Sequence, residues 1–330
     1  MNLVDSFNRH ISYLRVSVTD RCDLRCHYCM KDKMTFLPKK ELLSFEEIER
    51  LCDNFIELGV NKIRLTGGEP LVRKNIIHLI NNLGSKIGNS NLKELTLTTN
   101  GTLLSKYAKS LKDAGVNRIN VSLDTLDSDK YKKITRYGDL NKVLKGIKIA
   151  QKCNIKVKIN TVAIKNFNED EFENIINWCN NYNIDLSFIE IMPMNETSLP
   201  RHLQFVPLND VFDKLNKKFD FFKIEKNTGG PSQYYNSKQL INDIGFITPL
   251  TNNFCENCNR VRITSTGRLY MCLGQNEYID FRNILRNDYS DDSIKKKILL
   301  ALRLKPKKHD FIIKKNVKPY MKRFMNVTGG

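Results

Sequence analysis

The chain has 330 residues, 41% of them apolar, and carries 54 Lys and Arg against 36 Asp and Glu, a formal net charge of +18. That length supports a substantial buried core, no apolar run approaches the roughly 20 residues that cross a bilayer, and no repeat or low-complexity tract stands out, which sets aside a membrane-spanning or disordered chain. The positive excess suits anionic ligands such as phosphates, but Lys, Asn and Ile are abundant throughout, so charge alone does not point to nucleic acid.

Met1 to His10 has acidic and polar residues where a secretory signal needs an apolar stretch, which predicts a cytoplasmic chain. The first β-rich run, Tyr13 to Val18, is followed directly by Cys22-x-x-x-Cys26-x-x-Cys29. A helix comes next, with Phe45, Ile48, Cys52, Phe55 and Leu58 on one face and Ser44 and Glu47 placed as a capping box. Further strands are predicted over Lys62 to Thr66, Leu95 to Thr99, Arg118 to Leu123, Lys156 to Val162 and Asp185 to Ile191, with helix-period segments between most of them. Strands alternating with crossover helices make a parallel sheet, and six such units predict an α/β fold: an open, incomplete (β/α)6 TIM-type barrel with ligands at the carboxyl ends of its strands. A full eight-unit barrel lacks the strands.

The periodicity fades after about Met192, where Pro193, Pro200 and Pro207 punctuate the chain and Thr228 to Ser232 reads as a turn. The expected division is residues 1–206 as the partial barrel and 207–330 as a C-terminal region. That region holds Cys255, Cys258 and Cys272 and a Lys-rich stretch, Lys295 to Lys318, which reads as a solvated helix face. Cys52, Cys153 and Cys179 fall on apolar helical faces and read as core.

Clustered thiols in a cytoplasmic chain mean metal or catalysis rather than disulfides. Cys22, Cys26 and Cys29 could bind zinc with a fourth ligand, or three irons of a 4Fe-4S cluster. His27 is adjacent to Cys26 and poorly placed to join it on one ion, whereas three thiolates on a cubane leave one iron open. Cys255, Cys258 and Cys272 pose the same choice. No histidine or further cysteine lies between Asp210 and His309 to complete a zinc knuckle, which favours a second three-cysteine cluster.

The first cysteine spacing, with aromatic Tyr28 before the third cysteine, resembles the radical S-adenosylmethionine (SAM) superfamily. Thr66-Gly67-Gly68-Glu69-Pro70 resembles its second element, in which paired glycines bring backbone close to SAM. Together with the second cysteine group, Thr98-Thr99-Asn100-Gly101 and the terminal Gly329-Gly330, these motifs resemble the GTP 3′,8-cyclase family along essentially the whole chain. That resemblance implies two 4Fe-4S clusters, on Cys22, Cys26 and Cys29 and on Cys255, Cys258 and Cys272, and SAM as cofactor. It implies SAM contacts at Tyr28, Gly68, Ser122 and Met192, and GTP contacts at Arg15, Arg64, Thr98, Lys158, Arg260, Val261 and Arg262. It gives Arg260, Arg262, Gly329 and Gly330 catalytic roles, the two glycines reaching into the active site. The implied chemistry is reductive cleavage of SAM to a 5′-deoxyadenosyl radical that takes H3′ of GTP, followed by attack of C3′ on guanine C8. The implied partners are a reduced electron donor and the next enzyme of molybdenum cofactor biosynthesis, cyclic pyranopterin monophosphate synthase; a homodimer is left open. Two readings remain beside it: a peptide-maturing radical SAM enzyme with an auxiliary cluster, which would leave Arg260, Arg262 and the Gly-Gly end unexplained, and a zinc-dependent nucleic-acid binder.

Overall fold

The computed structural model describes residues 3–195, 199–287, 290–315 and 317–329, so Gly330 lies outside the described residues. Six strands alternate with helices in its first two thirds: β1 (Tyr13–Ser17), β2 (Lys62–Thr66), β3 (Glu94–Thr99), β4 (Arg118–Ser122), β5 (Lys156–Ala163) and β6 (Asp185–Glu190). The intervening helices are α1 (Phe45–Glu57), α2 (Ile76–Gly84), α3 (Leu104–Asp113), α4 (Ser128–Thr135), α5 (Leu140–Lys152) and α6 (Phe172–Asn181). The capping box starts α1 as predicted, with Ser44 Oγ accepting from Glu47 N at 3.1 Å and Glu47 Oε2 accepting from Ser44 N at 2.6 Å. Of the solitary cysteines, Cys52 and Cys179 are buried in the core, and Cys153 sits partly buried against it at the end of α5.

Each strand alternates. Leu14 and Val16, Ile63 and Leu65, Ile119 and Val121, and Val157 and Ile159 share one core with Ile48, Leu51 and Phe55 of α1 and Leu104, Ala108 and Leu111 of α3. Successive side chains of a strand point to opposite faces, so the residues between them, Tyr13, Arg15, Arg64, Arg118, Asn120 and Lys158, line a cavity on the other side.

The remaining strands are β7 (Phe222–Ile224), β8 (Gln233–Asn236), β9 (Ile244–Ile247), β10 (Arg260–Ile263), β11 (Arg268–Tyr270) and β12 (Tyr278–Asp280). They join the sheet at both edges, giving the order β12-β11-β10-β1-β2-β3-β4-β5-β6-β9-β8-β7. β10 lies parallel to β1 and β9 parallel to β6, while β11–β12 and β7–β8 run antiparallel outside them. The open β/α barrel predicted from six units is therefore present, with its parallel portion extended by two strands whose brevity and lack of a following crossover helix hid them from the periodicity.

The buried Glu190 at the end of β6 accepts from the backbone of Leu208 (3.2 Å), Leu250 (2.8 Å) and Thr251 (3.2 Å), which ties the barrel to the C-terminal strands. The C-terminal helices are α7 (Arg201–Gln204), α8 (Leu208–Phe219), α9 (Arg282–Arg286), α10 (Asp291–Arg303) and α11 (Met325–Thr328). No helix among the described residues is long and apolar enough to cross a membrane.

Candidate active site

The first cysteine loop follows β1 and is held from several sides. Gly68 N and Glu69 N donate to Thr19 O and Arg21 O, both at 2.8 Å. A Cβ on Gly67 would come within 2.5 Å of Thr19 O, and one on Gly68 within 2.3 Å of Arg21 O. The paired glycines thus admit the backbone of the cysteine loop itself, a demand the sequence reading had assigned to SAM alone. Arg25 and Arg136 clasp the same loop through the carbonyls of Cys22 and Arg25, and Asn100 Nδ2 lies 3.7 Å from Cys22 Sγ. Tyr28 donates from its hydroxyl to the buried Asp124 at 2.8 Å, and its carbonyl accepts from Arg201 Nη2 at 2.8 Å. Burial pushes the thiols up, Cys29 to about 11 and Cys22 and Cys26 further. Beside them Glu69 is fully buried and accepts from Thr99 Oγ1, Leu71 N and Asn100 N at 2.6 to 3.1 Å; burial still pushes its carboxyl up to about 8. Ser122 ends β4, at the carboxyl edge that carries this loop.

Three adjacent strands then set a row of cations. The register pairs Arg262 of β10 with Arg15 of β1, and Arg15 with Arg64 of β2; one row over, Arg260 pairs with Tyr13, and Tyr13 with Lys62. Arg15, Arg64, Lys158, Arg260 and Arg262 all line one cavity of about 1150 Å³ including its mouth, with Met192 and the second-group cysteines, and no Asp or Glu lines it among the described residues. Burial, and then the neighbouring Arg262, lower Arg15 well below the usual guanidinium range; burial and Arg260 lower Arg262 to about 10, and burial lowers Lys158 well below its ordinary value. For Tyr13 burial acts upward, but Arg64, Arg15, Lys62 and Arg260 together bring its phenol down to about 8. Thr98 does not line the cavity directly; its hydroxyl accepts from Arg64 Nη1 at 3.0 Å. Val261 is fully buried between its two arginines, as strand alternation requires, and does not line the cavity.

The same cavity is also lined by Cys255, Cys258 and Cys272. Burial raises Cys255 and Cys272, but Lys305 and Arg260 outweigh burial at Cys258 and lower it to about 7. Lys305 belongs to the stretch read as a solvated face, yet it is buried, with Nζ 3.5 Å from Cys258 Sγ. Nothing in the local pattern marks it out. Arg9 is likewise buried and donates to Cys255 O at 2.8 Å. Tyr13, Arg118 and Asn120 were missed as site residues although they follow from the same alternation that exposes Arg15 and Arg64. The donor chemistry fits iron–sulfur clusters at both groups: three soft thiols at each, and flanking cations at the second. No three Cys, His, Asp or Glu groups among the described residues close around a single ion position, as thiols that each take a separate iron need not.

The C-terminal tail packs beside these elements. Arg262 Nη1 donates to Gly329 O at 2.8 Å, Asn326 Nδ2 donates to Asp20 O at 2.8 Å, and a Cβ on Gly329 would come within 2.2 Å of Thr66 Cγ2.

The family model of the Radical SAM superfamily matches residues 16–179, and that of Molybdenum Cofactor Synthesis C matches residues 184–311. A protein named GTP 3′,8-cyclase from Rhizobium etli is 54% identical over 329 residues, covering 99% of this chain and 94% of its own. One of the same name from Brucella ovis is 54% identical, covering 99% of this chain and 96% of its own. Among solved structures, Streptococcus suis SuiB bound to S-adenosylmethionine matches with a TM-score of 0.63 at 16% identity, covering 90% of this chain and 69% of SuiB, a likeness of fold.

Proposed function

Because the chain belongs to the GTP 3′,8-cyclase family of radical SAM enzymes, we propose that its cavity holds GTP with the triphosphate on the Arg262–Arg15–Arg64 row and the guanine toward Cys255, Cys258 and Cys272. The chain is a GTP 3′,8-cyclase, forming (8S)-3′,8-cyclo-7,8-dihydroguanosine 5′-triphosphate in molybdenum cofactor biosynthesis. SAM and the cluster on Cys22, Cys26 and Cys29 supply, when bound, the 5′-deoxyadenosyl radical that takes H3′ before C3′ bonds to guanine C8.

The chain's own residues bind and orient. Arg15, Arg260 and Arg262 present guanidinium forks that match phosphate oxygens, Arg64 is braced for the same task by Thr98, and Lys158 adds an ammonium from β5. The single observation that carries this reading is that Arg64, Lys158, Arg260 and Arg262 line one cavity whose lining, among the described residues, holds no Asp or Glu. Burying positive charge is costly, and a polyanionic ligand offsets the cost. Tyr28, Gly68, Ser122 and Met192 are assigned to SAM. The second thiol group is assigned a second 4Fe-4S cluster that receives the base, with residues 1–206 as the barrel region and 207–330 as the part that brings this cluster. Arg262 and Gly329 close the space between them, excluding water. The enzyme works in the cytoplasm with a reduced one-electron donor, as monomer or homodimer, and passes its product to cyclic pyranopterin monophosphate synthase.

Anaerobic incubation with GTP, SAM and reductant, followed by mass analysis, tests the assignment. The expected result is 5′-deoxyadenosine together with an isomer of GTP; SAM cleavage with unaltered GTP would overturn it.

A further inference from the structure

Lys305 stands apart from the other lysines of its stretch. The chain turns just after α10, with Lys305 N donating to Leu302 O at 3.0 Å, and the side chain is carried inward to 2% exposure. There Nζ donates to Met271 O at 2.7 Å, to Arg260 O at 3.0 Å and to Cys258 Sγ at 3.5 Å. These partners are two neutral carbonyls and a thiol. None of them is a carboxylate. A buried ammonium in such a setting is strongly unfavourable unless negative charge is brought to it, and the anionic partner within reach is a thiolate-bound cluster.

Resting on the reading that Cys255, Cys258 and Cys272 hold an iron–sulfur cluster, we propose that Lys305 is its built-in counter-charge, a positioning residue that sets the potential at which that cluster takes up an electron. The three hydrogen bonds join the two segments that bear the ligands: Arg260 lies two residues after Cys258, and Met271 immediately before Cys272. One ammonium therefore fixes the spacing of two ligand-bearing segments and places a full positive charge at a ligand sulfur. Cluster potentials follow net charge and hydrogen bonds to the sulfurs. A fixed positive charge favours the reduced form, which carries one more electron, so it raises the midpoint potential.

The test uses the full-length chain with Cys22→Ala, Cys26→Ala and Cys29→Ala, reconstituted anaerobically so that only the second group can hold iron, and titrated with dithionite in the presence of mediators while the reduced cluster is followed by electron paramagnetic resonance. Lys305→Arg keeps the charge and should titrate with the parent. Lys305→Gln keeps a donor but loses the charge. At the parent's midpoint its reduced-to-oxidised ratio should fall about tenfold, equivalent to a shift of about 59 mV for a one-electron couple. A Gln variant that loads no iron while the Arg variant loads fully also supports the proposal, since the charge is then needed to hold the cluster at all. The proposal is overturned if Gln titrates with the parent, if Arg shifts as far as Gln, or if both variants lose their iron. A parent that binds no iron removes the second-cluster reading itself, and that result is visible before any midpoint is measured.

Discussion

Arg262 has two tasks, and comparing GTP with guanosine isolates one of them. Its Nη1 holds Gly329 O, and its guanidinium ends the row that meets Arg15 and Arg64 in register. Arg262→Ala should weaken GTP binding by about 1.5 to 3 kcal/mol, a charged hydrogen bond, which is about tenfold or more in affinity, while guanosine binding changes little. Calorimetry with both ligands checks it; an equal loss for both would mean that the row does not meet the phosphates. Glu69 makes a pH prediction of definite sign. Its folded carboxyl sits at about 8 against an ordinary 4.5, so the folded chain keeps a proton that the unfolded chain has lost, and stability falls as pH rises from about 4.5 to about 8. Glu69→Gln does not titrate. It leaves Asn100 N–H facing an amide NH2 and should cost about 1 to 3 kcal/mol at pH 5, then recover relative to the parent up to pH 8.5 in urea denaturation. A parent that instead gains on the Gln variant over this range would show that its three donors outweigh burial. The arginines of the row were singled out by the family resemblance, and the strands' period of two then explains why they share a face. Lys305 and Asp124 were not singled out, since each acts through a partner far away in sequence, Cys258 and Tyr28.

Among elements, the six β/α strands could be read from apolar runs because each is buried against helices, and their observed bounds stay within a residue or two of the reading. β10 carries two of the most important arginines yet escaped as a strand: Arg260–Ile263 is four residues long, and its edge is supplied by β1, some 250 positions earlier in the chain. The tail was flagged only by resemblance. Its last turn, α11, docks on the cysteine loop through Asn326, and Gly329 leaves it at φ +72°, where a side chain is strained and would also strike Thr66. Gly329→Ala should therefore displace the end of the tail while Asn326 still holds α11 on the cysteine loop. Iron content and SAM binding stay near those of the parent, and cyclised product falls sharply. A variant that forms product at the parent rate would show the tail to be dispensable, and one that loses iron would show it to be structural.

At the scale of the whole molecule, the regions divided at residue 206 share one sheet. Residues 207–330 supply β10 to the edge of β1 and β9 to the edge of β6, and they also supply the donors at Leu208, Leu250 and Thr251 that satisfy the buried Glu190. A chain ending at residue 206 would expose two edge strands with their hydrogen-bonding groups unpaired. It would leave Glu190 as a carboxylate without those partners, and it would strip the cation row of Arg260 and Arg262, which face Tyr13 and Arg15 across the strand pair. Leaving a buried hydrogen-bonding group unsatisfied costs about 1 to 3 kcal/mol, a sizeable share of the roughly 5 to 15 kcal/mol that holds a domain together. The fragment 1–206 is therefore expected to be insoluble or to unfold without a cooperative urea transition, whereas the full chain unfolds in one. Circular dichroism and sedimentation of the two proteins decide it. A soluble fragment with a sharp transition of its own would make the barrel an independent folding unit, and the cation wall would then be assembled only when the second region docks.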